Sequence, residues 1–149
     1  MSTPDEVVVW TDGGARGNPG PAGFGVVVTT PDGEVLAQLA EGIGWATNNV
    51  AEYRGAIAGL EQALALGARR VRVRADSLLV VNQQTGLWKV RNEALRALWA
   101  ETRRLVTQFE RVTWEHVPRE RNRRADALAN QAMDAQGMVE RPVQGQPRT

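Results

Sequence analysis

Four acidic residues have positions that could bring their carboxylates together: Asp12, Glu52, Asp76 and Asp126. Two of them, Asp12 and Asp76, each follow a run of residues typical of a strand, and open α/β sheets bind ligands beyond the carboxyl ends of their strands. The other two lie in segments with helical periodicity, among small residues that favour close packing against a sheet. Because four converging carboxylates repel one another, the pattern predicts divalent cations between them.

The composition limits which metal such a site could hold. The chain has no cysteine and one histidine, His116, which excludes disulfides, thiolate sites and zinc sites built from several histidines. Carboxylate oxygens favour Mg²⁺, for which Mn²⁺ can substitute. Two ions about 3.5–4 Å apart can hold both the attacking and the leaving oxygen of a phosphoryl displacement. We therefore expect a site for a pair of divalent ions, Mg²⁺ or Mn²⁺, that is suited to phosphoryl displacement.

Overall charge gives little information about partners, since the formal net charge of the 149 residues is only +1. A local cluster is more informative: residues 119–124 include four arginines and one acid, Glu120. Two interpretations stay open at this point, a solvated start of a helix and a contact for nucleic acid.

Alternation, helical spacing and turn residues predict nine elements and one long loop. The predicted strands are Glu6–Thr11, Phe24–Thr29, Val35–Glu41, Arg70–Ala75 and Arg111–Val117. The predicted helices are Asn48–Leu66, Leu78–Thr85, Asn92–Phe109 and Asn122–Gln136, the second capped by Ser77 and the last by Asn122. The glycine- and proline-rich stretch Gly13–Gly23 is predicted to be a loop.

The order of these elements, β-β-β-α-β-α-α-β-α, predicts an α/β fold. Three consecutive strands joined by short turns form an antiparallel meander, and strands separated by helices join in parallel through crossovers. We therefore expect a mixed five-stranded sheet, with three antiparallel strands and then two parallel ones, and with helices on both faces. Residues 1–136 would form one catalytic domain, and the polar residues 137–149 a disordered tail.

Neither a membrane span nor a signal peptide is expected. The chain has no run of about 18 apolar residues, and its first residues lack a basic region followed by an apolar stretch. We expect a cytoplasmic protein that acts as a monomer and does not bind membranes.

Four short motifs occur in a fixed order on the predicted elements. They are Thr11–Pro21 (TDGGARGNPGP), Thr47–Tyr53 (TNNVAEY), Ala75–Ser77 (ADS) and Asn122–Ala129 (NRRADALA). Together they resemble the signature of the type 1 ribonuclease H family, over roughly residues 5–135. One such motif is a weak signal, whereas four in order on matching elements are specific.

The resemblance implies a ribonuclease H-like fold and an endonuclease that cuts the RNA strand of an RNA–DNA hybrid, leaving 5′-phosphate and 3′-hydroxyl ends. It also implies that the four acids bind two Mg²⁺ ions and are catalytic. Recognition of 2′-hydroxyls would separate RNA from DNA. The residues expected to bind the substrate are Gly13, Asn18, Thr47, Asn48, Asn49 and Trp88. For the asparagines, a role in turns or helix caps is the alternative.

Some features depart from the family pattern or leave its interpretation open. The basic helix-loop that some members insert is reduced here to residues 86–92, so Trp88 could contact the DNA strand or simply pack under the loop. The position of His116, ten residues before Asp126, suits a proton shuttle, since imidazole titrates near neutral pH. Alternatively, His116 extends a strand face, and Arg119 or Glu120 takes the place near the scissile phosphate.

Other functions share part of this pattern. A junction resolvase or a retroelement domain would keep the acids without the TNN and GNPG context. A non-catalytic nucleic-acid binding module would not need all four acids. An actin-like ATPase could use the sequence DGG at residues 12–14, but that fold needs two such domains and this chain has length for one.

Overall fold

The computed structural model describes residues 4–139, with five strands and four helices. The strands are β1 Glu6–Ala15, β2 Gly20–Thr29, β3 Val35–Ala46, β4 Arg70–Ala75 and β5 Arg111–His116. The helices are α1 Asn48–Ala65, α2 Leu78–Gln84, α3 Glu93–Val106 and α4 Arg123–Val139, and a 3₁₀ turn, Arg119–Arg121, precedes α4. The disordered tail was predicted from residue 137, but residues 137–139 belong to α4, which corrects that bound. The rest of the predicted tail, from residue 140 onwards, lies outside the described residues.

The sheet confirms the predicted fold class. Its strand order is β3-β2-β1-β4-β5. Strand β2 pairs with β1 and β3 in antiparallel fashion, whereas β4 pairs in parallel with β1 and β5. Helix α1 packs on β1 and β2 from one face, and α4 packs on β2, β1 and β3 from the other, because successive strand residues point to opposite faces.

Most of the core lies between α1 and the sheet. It combines valines of β1, β2 and β4 with the buried side of α1, including Leu60 and Ala63, with Leu105 in the last turn of α3, and with Phe109 just after that helix. A second cluster joins α1, α2 and α3 around Tyr53, whose hydroxyl donates a 2.7 Å hydrogen bond to Oε1 of Gln83. The helices that carry functional residues are therefore fixed by apolar burial.

The predicted loop Gly13–Gly23 is mostly strand, which corrects the prediction. The β1–β2 ladder continues through the pairs Asp12–Gly25, Gly13–Phe24 and Gly14–Gly23, so only residues 16–19 connect the strands. Glycine is required there by packing. A Cβ on Gly13 would lie 2.5 Å from the carbonyl carbon of Ala51 in α1, too close for any other residue.

Other boundaries also differ from the prediction. Strand β3 continues beyond Glu41 to Ala46 because its pairing with β2 continues to Gly20. Helix α3 begins after Asn92, whose Oδ1 accepts from the backbone amides of Ala94 and Leu95. It ends at Val106, short of the predicted Phe109, and α4 runs to Val139, beyond the predicted Gln136.

The two predicted caps have different outcomes. The hydroxyl of Ser77 accepts from the amide of Val80 at 3.3 Å, which confirms it as the N-cap of α2. The prediction that Asn122 caps α4 is wrong for its side chain, which does not accept from an amide of the helix. Its Nδ2 donates instead to the carbonyl of Thr11 at 2.9 Å, and its Oδ1 has no hydrogen-bond partner.

Within residues 4–139, no helix combines the length and the apolar character needed to cross a membrane.

Candidate active site

Three of the four predicted acids form a compact cluster. One carboxylate oxygen from each of Asp12, Glu52 and Asp76 lies within 4.8 Å of the other two. The cluster lines a cleft of about 510 Å³, and the fourth acid, Asp126, lines the same cleft. The structure thus brings together all four acids that the sequence singled out.

The parallel pairing of β1 and β4 places Asp12 beside Asp76. Thr11 pairs with Ala75 in the last register position of this ladder, so the next residue of each strand is an aspartate at the same edge of the sheet. Helix α1 supplies Glu52, because the missing side chain of Gly13 lets the backbone of α1 come close to β1. Strand register and one glycine contact therefore build the cluster.

Asp126 is held on the first turns of α4 by polar neighbours. Nδ2 of Asn130 lies 3.0 Å from the carbonyl oxygen of Asp126 and 3.3 Å from its Oδ2, and it donates to both. Nε of Arg119 lies 3.6 Å from Oδ1 of Asp126. The hydrogen bond from Asn122 to Thr11 ties the start of α4 to β1 next to Asp12.

Burial and mutual repulsion dominate the electrostatics of the cluster. Burial, together with the neighbouring Asp76 and Asp126 carboxylates, raises the pKa of Asp12 to about 8. Burial also raises the pKa of Glu52 well above its usual value, assisted by Asp12 and Asp76, although a hydrogen bond from the Gly13 amide opposes the shift. Both shifts show that ionised carboxylates are unfavourable here without positive charge.

The residues present fit a divalent cation. The buried Oδ1 of Asp76 has no hydrogen-bond partner. The donors are all carboxylate oxygens, which hard cations such as Mg²⁺ and Mn²⁺ prefer. Within the described part of the chain, Arg119 is the one cation in ion-pairing distance of any of the four acids, so most of their charge is not compensated by the protein.

The structure places the three candidates for proton transfer differently. His116 is the last residue of β5, pairs with Ala75, has an exposed side chain and lines the acid cleft. Arg119 also lines this cleft, whereas Glu120 lines a separate pocket. His116 is thus both a strand residue and a cleft residue, so its place in the strand does not exclude it from the cleft.

The candidate substrate-binding residues divide into two groups. Gly13 and Asn48 line the cleft, and Asn18 is joined to them because its Oδ1 accepts from the amide of Asn48 at 2.9 Å. The Thr47 hydroxyl caps α1 by accepting from Val50, and Asn49 is exposed next to it. Thus Asn18 and Thr47 do perform turn and cap functions, but the side-chain NH₂ of Asn18 and the hydroxyl hydrogen of Thr47 can still donate to a ligand.

Trp88 does not line the acid cleft. Its side chain is 42% exposed in the segment between α2 and α3, and its backbone amide donates to the carbonyl of Asn82. The predictions did not include two other residues that line the cleft, Arg16 and Met133. Arg16 pairs with Asp134 at 2.7 Å, a contact over 118 positions that no local pattern indicates.

Comparison with known proteins agrees with this geometry. The model of the family described as "Reverse transcriptase-like" matches residues 10–132. The ribonuclease H of Syntrophotalea carbinolica is 37% identical over 142 residues, which cover 85% of this chain and 90% of that protein. The chain belongs to the ribonuclease H family.

A relative with higher identity is longer than this chain. The bifunctional protein Rv2228c of Mycobacterium tuberculosis is 56% identical over 131 residues, which cover 87% of this chain but only 36% of the relative. The chain thus spans about a third of the length of that relative. The solved N-terminal RNase H domain of Rv2228c, a maltose-binding-protein fusion, superposes with a TM-score of 0.89 at 54% identity, covering 91% of this chain and 98% of that one.

Another solved structure includes nucleic acid. The crystal structure of LC11-RNase H1 in complex with an RNA/DNA hybrid superposes with a TM-score of 0.83 at 42% identity. The match covers 87% of this chain and 97% of that one. This ribonuclease H family member therefore shares most of its described fold with a relative solved in complex with a hybrid.

Proposed function

We propose that the protein is an endoribonuclease that hydrolyses the RNA strand of RNA–DNA hybrids. The observation that carries the proposal is the cluster of Asp12, Glu52 and Asp76, with carboxylate oxygens within 4.8 Å of one another and Asp126 in the same cleft. Membership of the ribonuclease H family supports the reaction, and the hybrid complex of LC11-RNase H1 supports the substrate. As expected from the sequence, the enzyme would act as a monomer in the cytoplasm.

The four acids would hold the metal, two Mg²⁺ ions or Mn²⁺ in their place. When bound, the ions would supply an activated water and neutralise charge at the scissile phosphate, giving 5′-phosphate and 3′-hydroxyl ends. The protein's own contribution is preorganisation. Strand pairing fixes Asp12 and Asp76, packing at Gly13 fixes Glu52, and Asn130 orients Asp126, so little rearrangement is needed during the reaction.

The side chains around the acids suit the rest of the reaction. His116 is exposed in the cleft and can carry a proton between the reacting group and solvent. Arg119, 76% exposed and next to Asp126, can pair with a phosphate once Asp126 is engaged elsewhere. Asn48 and the linked Asn18 each accept a backbone amide through Oδ1, so their side-chain NH₂ groups can donate to 2′-hydroxyls.

The test is a cleavage assay on four end-labelled substrates: an RNA–DNA hybrid, duplex DNA, duplex RNA and a four-way DNA junction. With Mg²⁺ we expect cleavage of the RNA strand of the hybrid alone, and with EDTA no cleavage. Hydrolysis that survives chelation would exclude the metal site. Cleavage of the junction instead of the hybrid would assign the fold to a resolvase, and binding of the hybrid without cleavage would assign it to a non-catalytic module.

A further inference from the structure

A second cavity lies on the face of the sheet that carries α4. Its volume is about 410 Å³, within the range of small-ligand pockets. Val8 and Trp10 of β1 and Val27 of β2 line it from the sheet, and the β2–β3 turn and the start of α4 form its sides. It contains none of the four acids, so the reaction proposed above does not account for it.

Three arginines of this pocket have no acidic partner. Arg121, Arg123 and Arg124 line the pocket with exposed side chains, and none forms an ion pair with any residue between 4 and 139. Two of them lie in the first turn of α4, where the helix dipole is positive, so cations there are unfavourable for the helix. An anion bound at this rim would remove both the repulsion and the mismatch with the dipole.

The neighbouring strand shows that the fold can neutralise arginines on this face. Each arginine of β4 has a glutamate partner: Arg70 with Glu110, Arg72 with Glu6 and Arg74 with Glu115. These pairs are the ordinary arrangement of a solvated sheet face. The arginines at the start of α4 form no such pairs, although Asp32 and Glu120 line the same pocket, so their charge is available to a bound anion.

The floor of the pocket offers more than positive charge. The Arg74 guanidinium lies over the Trp10 ring, 4.9 Å from its centroid, and its buried Nε lies 3.6 Å from Oε1 of Glu115 without forming a hydrogen bond. Asn122 is 1% exposed, also lines the pocket, and has a buried Oδ1 without a donor. Aromatic and guanidinium planes stack on bases, and a carboxamide oxygen accepts from base amino groups or sugar hydroxyls.

We propose that this pocket binds a nucleotide unit, its phosphate on the unpaired arginines and its base or sugar against Trp10, Arg74 and Asn122. An acidic peptide would use the arginines but would leave the aromatic floor and the Asn122 acceptor without a function. Arg119 lines the acid cleft and Arg121 lines this pocket, and both belong to one 3₁₀ turn. On the proposed function, a strand leaving the cleft can therefore reach the pocket.

The test compares two charge-matched double variants. The first, Arg121→Ala with Arg123→Ala, removes two arginines of the pocket. The control, Arg96→Ala with Arg111→Ala, removes two exposed arginines that line neither cavity. Binding is measured in EDTA by fluorescence anisotropy, with a blunt hybrid and with hybrids that carry a single-stranded extension on either strand at either end. Adenosine monophosphate is titrated separately by calorimetry, and melting curves check folding.

For the wild type and the control, we expect at least one extension to tighten binding by roughly 5–150-fold, as one stacked base would. The pocket variant should lose this gain and bind the blunt hybrid like the control. In a second supporting outcome, adenosine monophosphate binds the wild type but not the pocket variant, and extensions have no effect. The natural ligand of the pocket is then a free nucleotide and not an extension of the hybrid. Three results would overturn the proposal: no binding of either ligand, equal losses in both variants, or an oligoglutamate peptide binding as tightly as adenosine monophosphate. The adenosine monophosphate titration does not depend on hydrolysis, so its result can be interpreted even if the protein does not cleave hybrids.

Discussion

Acidic residues of the sheet form ion pairs with arginines in one region and have no such partners in another. On the sheet face that carries α4, Glu6 and Glu115 pair with the β4 arginines Arg72 and Arg74. A few residues further, just past the end of the ladder between β1 and β4, Asp12 and Asp76 lie side by side without a cation in ion-pairing distance among residues 4–139. The glutamates in the first region are neutralised by arginines near solvent. The aspartates in the second region lack such partners and are largely buried.

This difference shows where the fold is optimised for stability and where it is not. Exposed ion pairs contribute little either way, about 0–1 kcal/mol each. In the cleft, burial raises the pKa values of Asp12 and Glu52, so their ionised forms destabilise the metal-free protein at neutral pH. These acids reduce the stability of the ligand-free protein, and they lie in a cleft that can hold a ligand. Both properties are typical of a binding site.

The largest expected effect comes from removing one carboxylate of the cleft. Asp76→Asn keeps the shape of the side chain but removes a charge whose Oδ1 has no protein partner. Loss of several kcal/mol of charge stabilisation corresponds to a fall in hybrid cleavage of about 10³-fold or more. Single-turnover rates with Mg²⁺ measure it.

The matched control for Asp76→Asn is Glu110→Gln, which removes a carboxylate that pairs with Arg69 and Arg70. Its cleavage rate should stay within about twofold of the wild type, as usual for surface substitutions away from a site. If Asp76→Asn and Glu110→Gln lose activity equally, the unpaired acids of the cleft are no more important for cleavage than the ion-paired acids.

A smaller effect is expected at the edge of the cleft. His116→Ala removes an exposed side chain that lines it, whereas Glu120→Ala removes one that lines the other pocket. If His116 carries protons, its loss should lower turnover by about 10–10²-fold, the lower part of the range for general acid–base catalysis, and should change the pH profile. Turnover measured against pH for both variants decides. An unchanged profile for His116→Ala with a changed one for Glu120→Ala would reverse the assignment.

The sequence was sufficient to predict the acid cleft because each acid is tied to a regular element. The strand-like runs of the sequence lead directly into Asp12 and Asp76, and crossovers between strands β1, β4 and β5 make those strands parallel. The small residues along α1, such as Ala56 and Gly59, indicated a close approach, and both are buried against their neighbours. Local patterns and strand connectivity together determine this part of the molecule.

The features that could not be predicted depend on contacts between distant segments. The run Gly13–Gly23 has the composition of a loop, but packing of helices on both faces requires glycine within continuous strands. The partner of the Asn122 side chain is a backbone carbonyl 111 residues away, whereas its sequence context indicated an ordinary cap. The pocket around Trp10 also combines segments that have no shared local pattern.

A third prediction concerns stability without metal. Folding raises the pKa of Asp12 from 3.8 to about 8, so between about pH 4 and pH 8 the folded protein binds more protons than the unfolded chain. Its free energy of unfolding therefore falls as the pH rises through this window. Asp12→Asn removes this effect and should stabilise the metal-free protein at pH 8 by about 1–3 kcal/mol, with little change near pH 4.

Thermal melts in EDTA at several pH values measure the effect of Asp12→Asn, and a gain of this size raises the Tm by roughly 2–10 °C. The control is Asp134→Asn, at a carboxylate whose side chain is 63% exposed, for which no comparable gain is expected. Saturating Mg²⁺ should stabilise the wild type more than Asp12→Asn and so reduce the difference. A variant less stable than the wild type at pH 8 would mean that the carboxylates do not strain the empty cleft.

The smallest effect is expected on the paired side of the comparison. Glu6→Gln removes the negative partner of Arg72 from a pair whose side chains are 21% and 46% exposed. Such exposed pairs contribute about 0.2–1 kcal/mol, so the free energy of unfolding should fall by less than about 1 kcal/mol, and cleavage should not change. A double-mutant cycle with Arg72→Ala, followed by urea denaturation, isolates the pair energy from the separate losses of packing. Screening by salt should reduce the energy further, since the pair lies in solvent. A coupling well above 1 kcal/mol, or a fall in cleavage rate with Glu6→Gln, would mean that the paired face supports the cleft directly.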